Sequence, residues 1–286
     1  MAKCIHCGRP AGLFRRSHAE CRAKFDLAMT MIPAFFEKVL NSSLAADRFD
    51  ELLRNAAAAS YITPAQLRSL AISGISTMTE STLADHLPTD AEQERIIELA
   101  DAIGLTLDDI PVAEDKLIKA NVLRELDAGR IPDRVTVVDA LPIDLEPDEA
   151  VVWIFNQTKT YRSSRSKKDE TVELPLTSPI AHLPLYYSAS TLGEDGGNAA
   201  GLVEESVGDL VVTTHQLFMI WGERQRSFPY SKIAGFHARR DGFLITRGAA
   251  QDRVVLFGVD DPWFAANLVA RLLRLSTPAK AEQDDG

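Results

Sequence analysis

Asp209-Leu-Val-Val-Thr-Thr-His-Gln-Leu-Phe-Met-Ile-Trp221 is a run of β-branched, aromatic and other apolar residues, broken near its middle by Thr214 and His215. It is long for one strand, and its polar centre predicts two strands joined by a tight turn. The same texture continues on both sides. Ala150-Val-Val-Trp-Ile-Phe155 reads as a hydrophobic strand, and short strands follow through Ser227 to Tyr230, Ile233 to Ala238, Gly242 to Thr246 and Arg253 to Phe257. From Pro262 to Leu275 the period changes to that of one amphipathic helix, opened by Asp261 and the proline. Many strands and one closing helix predict a small β-barrel or bent sandwich capped by that helix. Trp153, Trp221 and Trp263 all fall in this half and are expected to pack in its core.

Toward the N-terminus the pattern is helical. Phe25, Met29, Ile32, Phe36, Val39 and Leu40 keep three-to-four spacing through a segment expected to break or kink at Pro33, and Phe49, Leu52 and Leu53 open the next helix. Thr63-Pro64 is a helix start with proline at its first position. Thr89 and Glu92 form a capping box for a helix stopped by Gly104, and a further helix runs from about Pro111 to Ala128 before Gly129. An all-α bundle is therefore expected ahead of the β half.

All three cysteines lie in the first 21 positions, as Cys4-Ile-His-Cys7 and His18-Ala-Glu-Cys21. Two closely spaced pairs bring four soft or imidazole donors together with little loop to close, which is what a tetrahedral zinc ion requires. Ser17 and Glu20 read as a capping box starting a helix near His18, which would put His18 and Cys21 on one face of its first turn. The expected ligands are Cys4, Cys7, His18 and Cys21, with His6 a competitor whose place inside the knuckle turns it away from the metal. The alternative is a set of reduced, metal-free thiols. The first pair, with Gly8 after it, resembles the knuckle of treble-clef zinc modules, in which a knuckle and a helix start give two ligands each. Four protein ligands leave no open position for water, so the site is expected to be structural.

Two further resemblances are carried by longer runs. Leu83-Ala-Asp85-His-Leu-Pro-Thr-Asp90-Ala-Glu92-Gln-Glu94-Arg-Ile-Ile-Glu-Leu-Ala-Asp-Ala-Ile-Gly-Leu105 resembles the repeating element of tellurite-resistance TerB-like helical domains: an acidic turn, a capped acidic helix start and a Gly-Leu ending. The resemblance implies a second metal position at Asp85, Asp90 and Glu92, with His86 where a glycine is usual. On the residues alone, Asp90 and Glu92 equally suit a helix N-terminus through its dipole. Gly208-Asp-Leu-Val-Val-Thr213-Thr-His-Gln-Leu217-Phe, then Gly222 and Pro229-Tyr-Ser-Lys232-Ile233, resembles bacterial pleckstrin-homology (PH) and GRAM-like domains. In the eukaryotic PH domains, basic residues between the first two strands hold an anionic headgroup. The corresponding run here is Lys159 to Lys168, in which Arg162, Arg165, Lys167 and Lys168 are the expected anion ligands. Asp169, Glu170 and Glu173 follow at once, so a solvated hairpin tip is the competing reading.

The resulting organisation is a zinc-binding module at 1–24, a TerB-like helical domain at 25–133, a bacterial PH-like domain at 134–275 and a disordered tail at 276–286. A loop from about Ser188 to Ser206, rich in Gly, Ser, Asp and Glu, is expected to be mobile. Net charge is −10, partitioned as +5 over residues 1–24, −14 over 25–150 and −1 over 151–286. An acidic middle repels a long polyanion, so nucleic acid is not an expected partner except locally at the basic N-terminal module. No stretch approaches the roughly 20 apolar residues of a membrane span. The start Met-Ala-Lys-Cys-Ile-His lacks an apolar signal core, and the chain is expected in the cytoplasm. There is no Gly-rich phosphate loop, no His-Glu-x-x-His and no Gly-x-Ser-x-Gly elbow, so no catalytic residue is assigned. The expected function is a non-enzymatic adaptor with a protein partner, with stress response or defence suggested by the domain types. The alternatives are a membrane-surface or nucleic-acid-associated regulator that binds anionic lipid or phosphate, and a hydrolase without a recognisable motif.

Overall fold

The computed structural model describes residues 2–12, 15–133, 142–163, 202–239, 241–247 and 254–276. It forms two compact units, residues 1–120 and 121–286. No described helix is long and apolar enough to cross a membrane.

The first unit opens with a two-stranded antiparallel ribbon, β1 (Ala2–Lys3) and β2 (Pro10–Gly12). Helices α1 (Ala19–Leu40), α2 (Ala46–Ala59), α3 (Pro64–Asp85) and α4 (Asp90–Ala102) follow, and α5 (Pro111–Asp127) begins here and ends in the second unit. The boundaries follow local chemistry. Thr63 with Gln66, and Thr89 with Glu92, make reciprocal capping boxes at the starts of α3 and α4. Gly104 and Gly129 take positive φ just past α4 and α5.

Two local expectations are corrected. Helix α1 runs on through Pro33, so the expected break does not occur. An interior proline costs about 3 kcal/mol, whereas Ile32, Phe36 and Val39 on this helix are buried and each contributes about 1.5–3 kcal/mol. Packing therefore outweighs the proline. At the other end of α1 the N-cap is His18, and it makes no side-chain cap hydrogen bond. The expected Ser17 box does not form, because the helix starts one residue later.

The second unit is a seven-stranded antiparallel sheet in the order β6-β5-β4-β3-β9-β8-β7, carrying α6 (Pro262–Ser276) against β7 and β8. Its strands are β3 (Val151–Ser163), β4 (Leu202–Thr213), β5 (Gln216–Trp221), β6 (Arg224–Pro229), β7 (Gly235–Arg239), β8 (Gly242–Thr246) and β9 (Val254–Gly258). The β4–β5 turn falls at Thr214 and His215, in register Val212 to Leu217. Phe264 of α6 meets Trp153 of β3 edge-on, at 4.7 Å between ring centroids, while Phe257 packs with Phe228 and Phe243 at 5.3 and 5.0 Å. Among the described residues the sheet is not a closed barrel: β6 and β7 are its edges. Pro229 ends β6 without an N–H to donate, the chain coils into a 3-10 turn at Tyr230–Lys232, and the buried Tyr230 hydroxyl donates to Thr213 O at 2.8 Å. After this turn the chain enters β7, which pairs with β8 at the opposite edge. Most of the expected mobile loop lies outside the described residues, and Leu202 to Ser206 belong to β4.

Candidate metal centre

The strongest cluster of potential ligands is built by three short devices near the N-terminus. Cys4 and Cys7 flank a tight turn closed by Gly8 N–H on Cys4 O at 2.9 Å, and Gly8 has φ +71°, which its lack of a Cβ permits. Cys4 N–H donates to Arg9 O at 2.8 Å, which returns the chain into β2. His18 and Cys21 sit at the cap and first turn of α1. Cys4, Cys7, His18 and Cys21 each offer one donor atom, and all four atoms lie within 4.8 Å of one another.

The distances suit a small cation. His18 Nδ1 is 3.3 Å from Cys7 Sγ and 3.7 Å from Cys21 Sγ. A tetrahedron with metal–sulfur bonds of about 2.3 Å and metal–nitrogen bonds of about 2.0 Å has edges of about 3.5–3.8 Å. The second nitrogen of His18, Nε2, donates to Pro10 O at 2.9 Å, which leaves the Nδ1 lone pair for the metal. The cap position of His18 thus serves the cluster rather than the helix.

The electrostatics explain why a cation belongs there. Burial works against ionisation of Cys4, yet N–H groups of Cys7, His18 and His6, with the Cys7 thiol, bring its pKa down to about 6. The Tyr61 hydroxyl acts to lower Cys21, but burial and the neighbouring Cys7 and Cys4 sulfurs leave it above the ordinary thiol value. His18 is more basic than an ordinary imidazole, first through Pro10 O and then through the Cys7 sulfur. Three sulfurs and an imidazole crowded together disfavour accumulating thiolate charge until a cation neutralises it. The residues present therefore fit a metal ion.

His6, the competing histidine, packs its ring on Phe25 at 4.8 Å and lies outside the four-donor set. Glu92 serves its helix cap: it accepts from Thr89 N–H at 2.8 Å and lies 3.0 Å from His86 Nε2. Asp90 is the first residue of α4 and Asp85 the last of α3, with the Asp85 side chain outside the described residues. Arg162 lies on β3, exposed, with Glu205 at 4.0 Å, whereas Arg165, Lys167 and Lys168 lie outside the described residues.

A second mixed cluster escaped the sequence reading. His215, on the β4–β5 turn, has Glu146 at 3.4 Å from Nδ1 and Asp148 at 3.8 Å from Nε2. The buried Glu149 pins the two segments together by accepting from Thr213 Oγ1, Gln216 Nε2 and Glu146 N–H. No local spacing announces a set whose members are 67 residues apart in sequence, as Asp148 and His215 are. Its carboxylates are largely exposed, 67% for Glu146 and 80% for Asp148, so the cluster lies open to solvent and lacks the enclosure of the N-terminal set.

The chain matches no known protein family, and comparisons with curated proteins and with solved structures find no match either.

Proposed function

We propose that this chain is a cytoplasmic, non-enzymatic adaptor whose N-terminal segment is ordered by a structural zinc ion held by Cys4, Cys7, His18 and Cys21. The observation that carries this reading is the convergence of four protein donors within 4.8 Å of one another, with Cys4 and Cys21 buried. A donor set of three thiolates and one imidazole is the borderline-soft combination that zinc favours, and four protein ligands are typical of sites that hold structure. Bound zinc would supply charge neutralisation and a cross-link between the Cys4–Cys7 turn and α1. The seven-stranded sheet, with β6 and β7 as its edges among the described residues, is the surface we assign to a protein partner, because strand edges present backbone donors and acceptors. The TerB-like and PH-like resemblances favour a role in stress response or defence.

Metal content by mass spectrometry, on protein purified without added metal, tests the zinc assignment. The expected result is one zinc per chain, lost in Cys4→Ser and Cys21→Ser. A wild-type chain without zinc, or variants that retain it, refutes the assignment.

A second reading has a specific observation behind it. Arg162 is 64% exposed, and the carboxylate paired with it among the described residues, on Glu205, is at 4.0 Å, so its guanidinium can still take an anion. Binding of anionic vesicles or phosphate that weakens steeply with salt, and that is lost in Arg162→Ala, would favour a membrane-surface regulator over the adaptor.

A further inference from the structure

Tyr61 occupies a position that bulky residues avoid. It follows α2 with φ +61°, and two hydrogen bonds close the helix around it: Ile62 N–H donates to Ala57 O at 2.9 Å and Tyr61 N–H to Ala58 O at 3.4 Å. That is the Schellman arrangement, whose left-handed residue is usually glycine because a Cβ is disfavoured there. The helix end alone would be better served without the tyrosine. Its side chain shows what it does instead. The ring packs against the Cys4, Ala11 and Cys21 cluster, 6.1 Å from the His6 ring, and the hydroxyl oxygen lies 3.7 Å from Cys21 Sγ.

We infer that Tyr61 is a positioning residue of the metal centre: its hydroxyl donates to the Cys21 thiolate and so fixes that ligand from the α2–α3 connection, 40 residues away in sequence. The direction follows from the chemistry. A metal-bound thiolate carries no proton, so only the hydroxyl can donate. Removing such a partner leaves the ligands in place but less well oriented, which weakens metal binding without abolishing it. The inference rests on the metal assignment above, and it adds that the α2–α3 connection helps set how tightly the metal is held.

The test uses the full chain and the conservative change Tyr61→Phe, which keeps the ring and the backbone conformation and removes only the oxygen. Zinc affinity is measured by competition with a chromophoric chelator, and Co(II) replaces zinc to read the thiolate-to-metal absorption directly. The expected result is one metal per chain in both proteins, about tenfold weaker binding in Tyr61→Phe, and a shifted Co(II)–thiolate band. Stoichiometric metal in both with equal affinity and identical Co(II) spectra overturns the role of Tyr61 and leaves the metal centre standing. No metal in the wild type overturns both. Circular dichroism of Tyr61→Phe confirms that the helices persist, and His6→Ala provides a control that disturbs ring packing without touching the hydroxyl.

Discussion

Replacing Gly74 with alanine sets helix propensity against packing in a way that the structure resolves. Gly74 is buried on α3, and a Cβ built on it meets the Phe36 ring of α1, closest to Cδ2 and only 2.7 Å from Cγ and 2.8 Å from Cε2. Ordinary contact begins near 3.4 Å, so the ring would have to retreat by about 1 Å to clear its nearest atom, and Cγ cannot swing aside as the tip of a flexible chain would. Phe36 is fully buried and meets Phe49 edge-on with centroids 5.0 Å apart, so the ring has nowhere to retreat without displacing a second one. Overpacking of this kind costs about 2–3 kcal/mol, against about 1 kcal/mol gained when alanine replaces glycine inside a helix. The expected net loss is about 1–2 kcal/mol, a fall of about 0.5–1 M in the urea midpoint. Far-UV circular dichroism follows the helices. Fluorescence from Trp153, Trp221 and Trp263, all in the second unit, serves as a control for the β half. Phe36→Leu in the Gly74→Ala background should recover part of the loss, a coupling of at least about 0.5 kcal/mol. A Gly74→Ala chain as stable as the wild type, or more stable, would refute the packing argument outright.

Two other changes probe polar contacts. Arg271 of α6, with its side chain 5% exposed, grips both carboxylate oxygens of Asp127 at 2.9 Å. Asp127→Asn should cost about 1.5–3 kcal/mol in urea denaturation followed by tryptophan fluorescence, because it strands a buried guanidinium. An unchanged midpoint would mean that water, admitted at the 39% exposed Asp127, replaces the carboxylate. Glu92 carries the pH dependence of the α4 cap. Partial burial disfavours its charged form, but Thr89 N–H and His86 more than offset this and hold its pKa below the ordinary 4.5. The stability it contributes is therefore present above pH 4.5 and lost as pH falls through the lower folded value. Thermal unfolding from pH 6 down to pH 3 should fall less steeply in Glu92→Gln, and parallel curves would show that the cap carries no proton linkage.

The parts of the molecule legible in the sequence are those whose determinants are close in sequence. The Cys4–Cys7 and His18–Cys21 pairs are local, and so is the Thr89–Glu92 box; spacing suffices for both. The β4–β5 turn was legible for the same reason, with polar Thr214 and His215 between apolar strands. Misreadings arose where two local signals competed or where tertiary packing decided. Ser17 and Glu20 have the spacing of a capping box, but His18 takes the cap while its imidazole turns to the sulfurs and Pro10 O. Pro33 signals a helix end, and buried Ile32 and Phe36 override it. Whether the sheet closes depends on which strand β7 pairs with, a long-range choice that no periodicity contains. Tyr61, with a side chain suited to a core and a backbone suited to glycine, would have looked unremarkable beside the helix that it ends.

Helix α1 connects these observations. Residues 2–12 bury only Cys4 and Ala11, too little apolar surface to order a chain. The His18–Cys21 pair, by contrast, sits at the start of a helix anchored farther along by Ile32, Phe36 and Val39 in the bundle core. Half of the donor set is thus positioned by packing that does not need the metal. The other half, Cys4 and Cys7, depends on a tight turn, on N–H groups directed at Cys4 and on the ion that would join the two halves. The division explains why a knuckle this short can sit on an acidic bundle without a core of its own. The bundle presents two donors and the Tyr61 hydroxyl in fixed positions, and a bound ion would recruit the remaining residues to them.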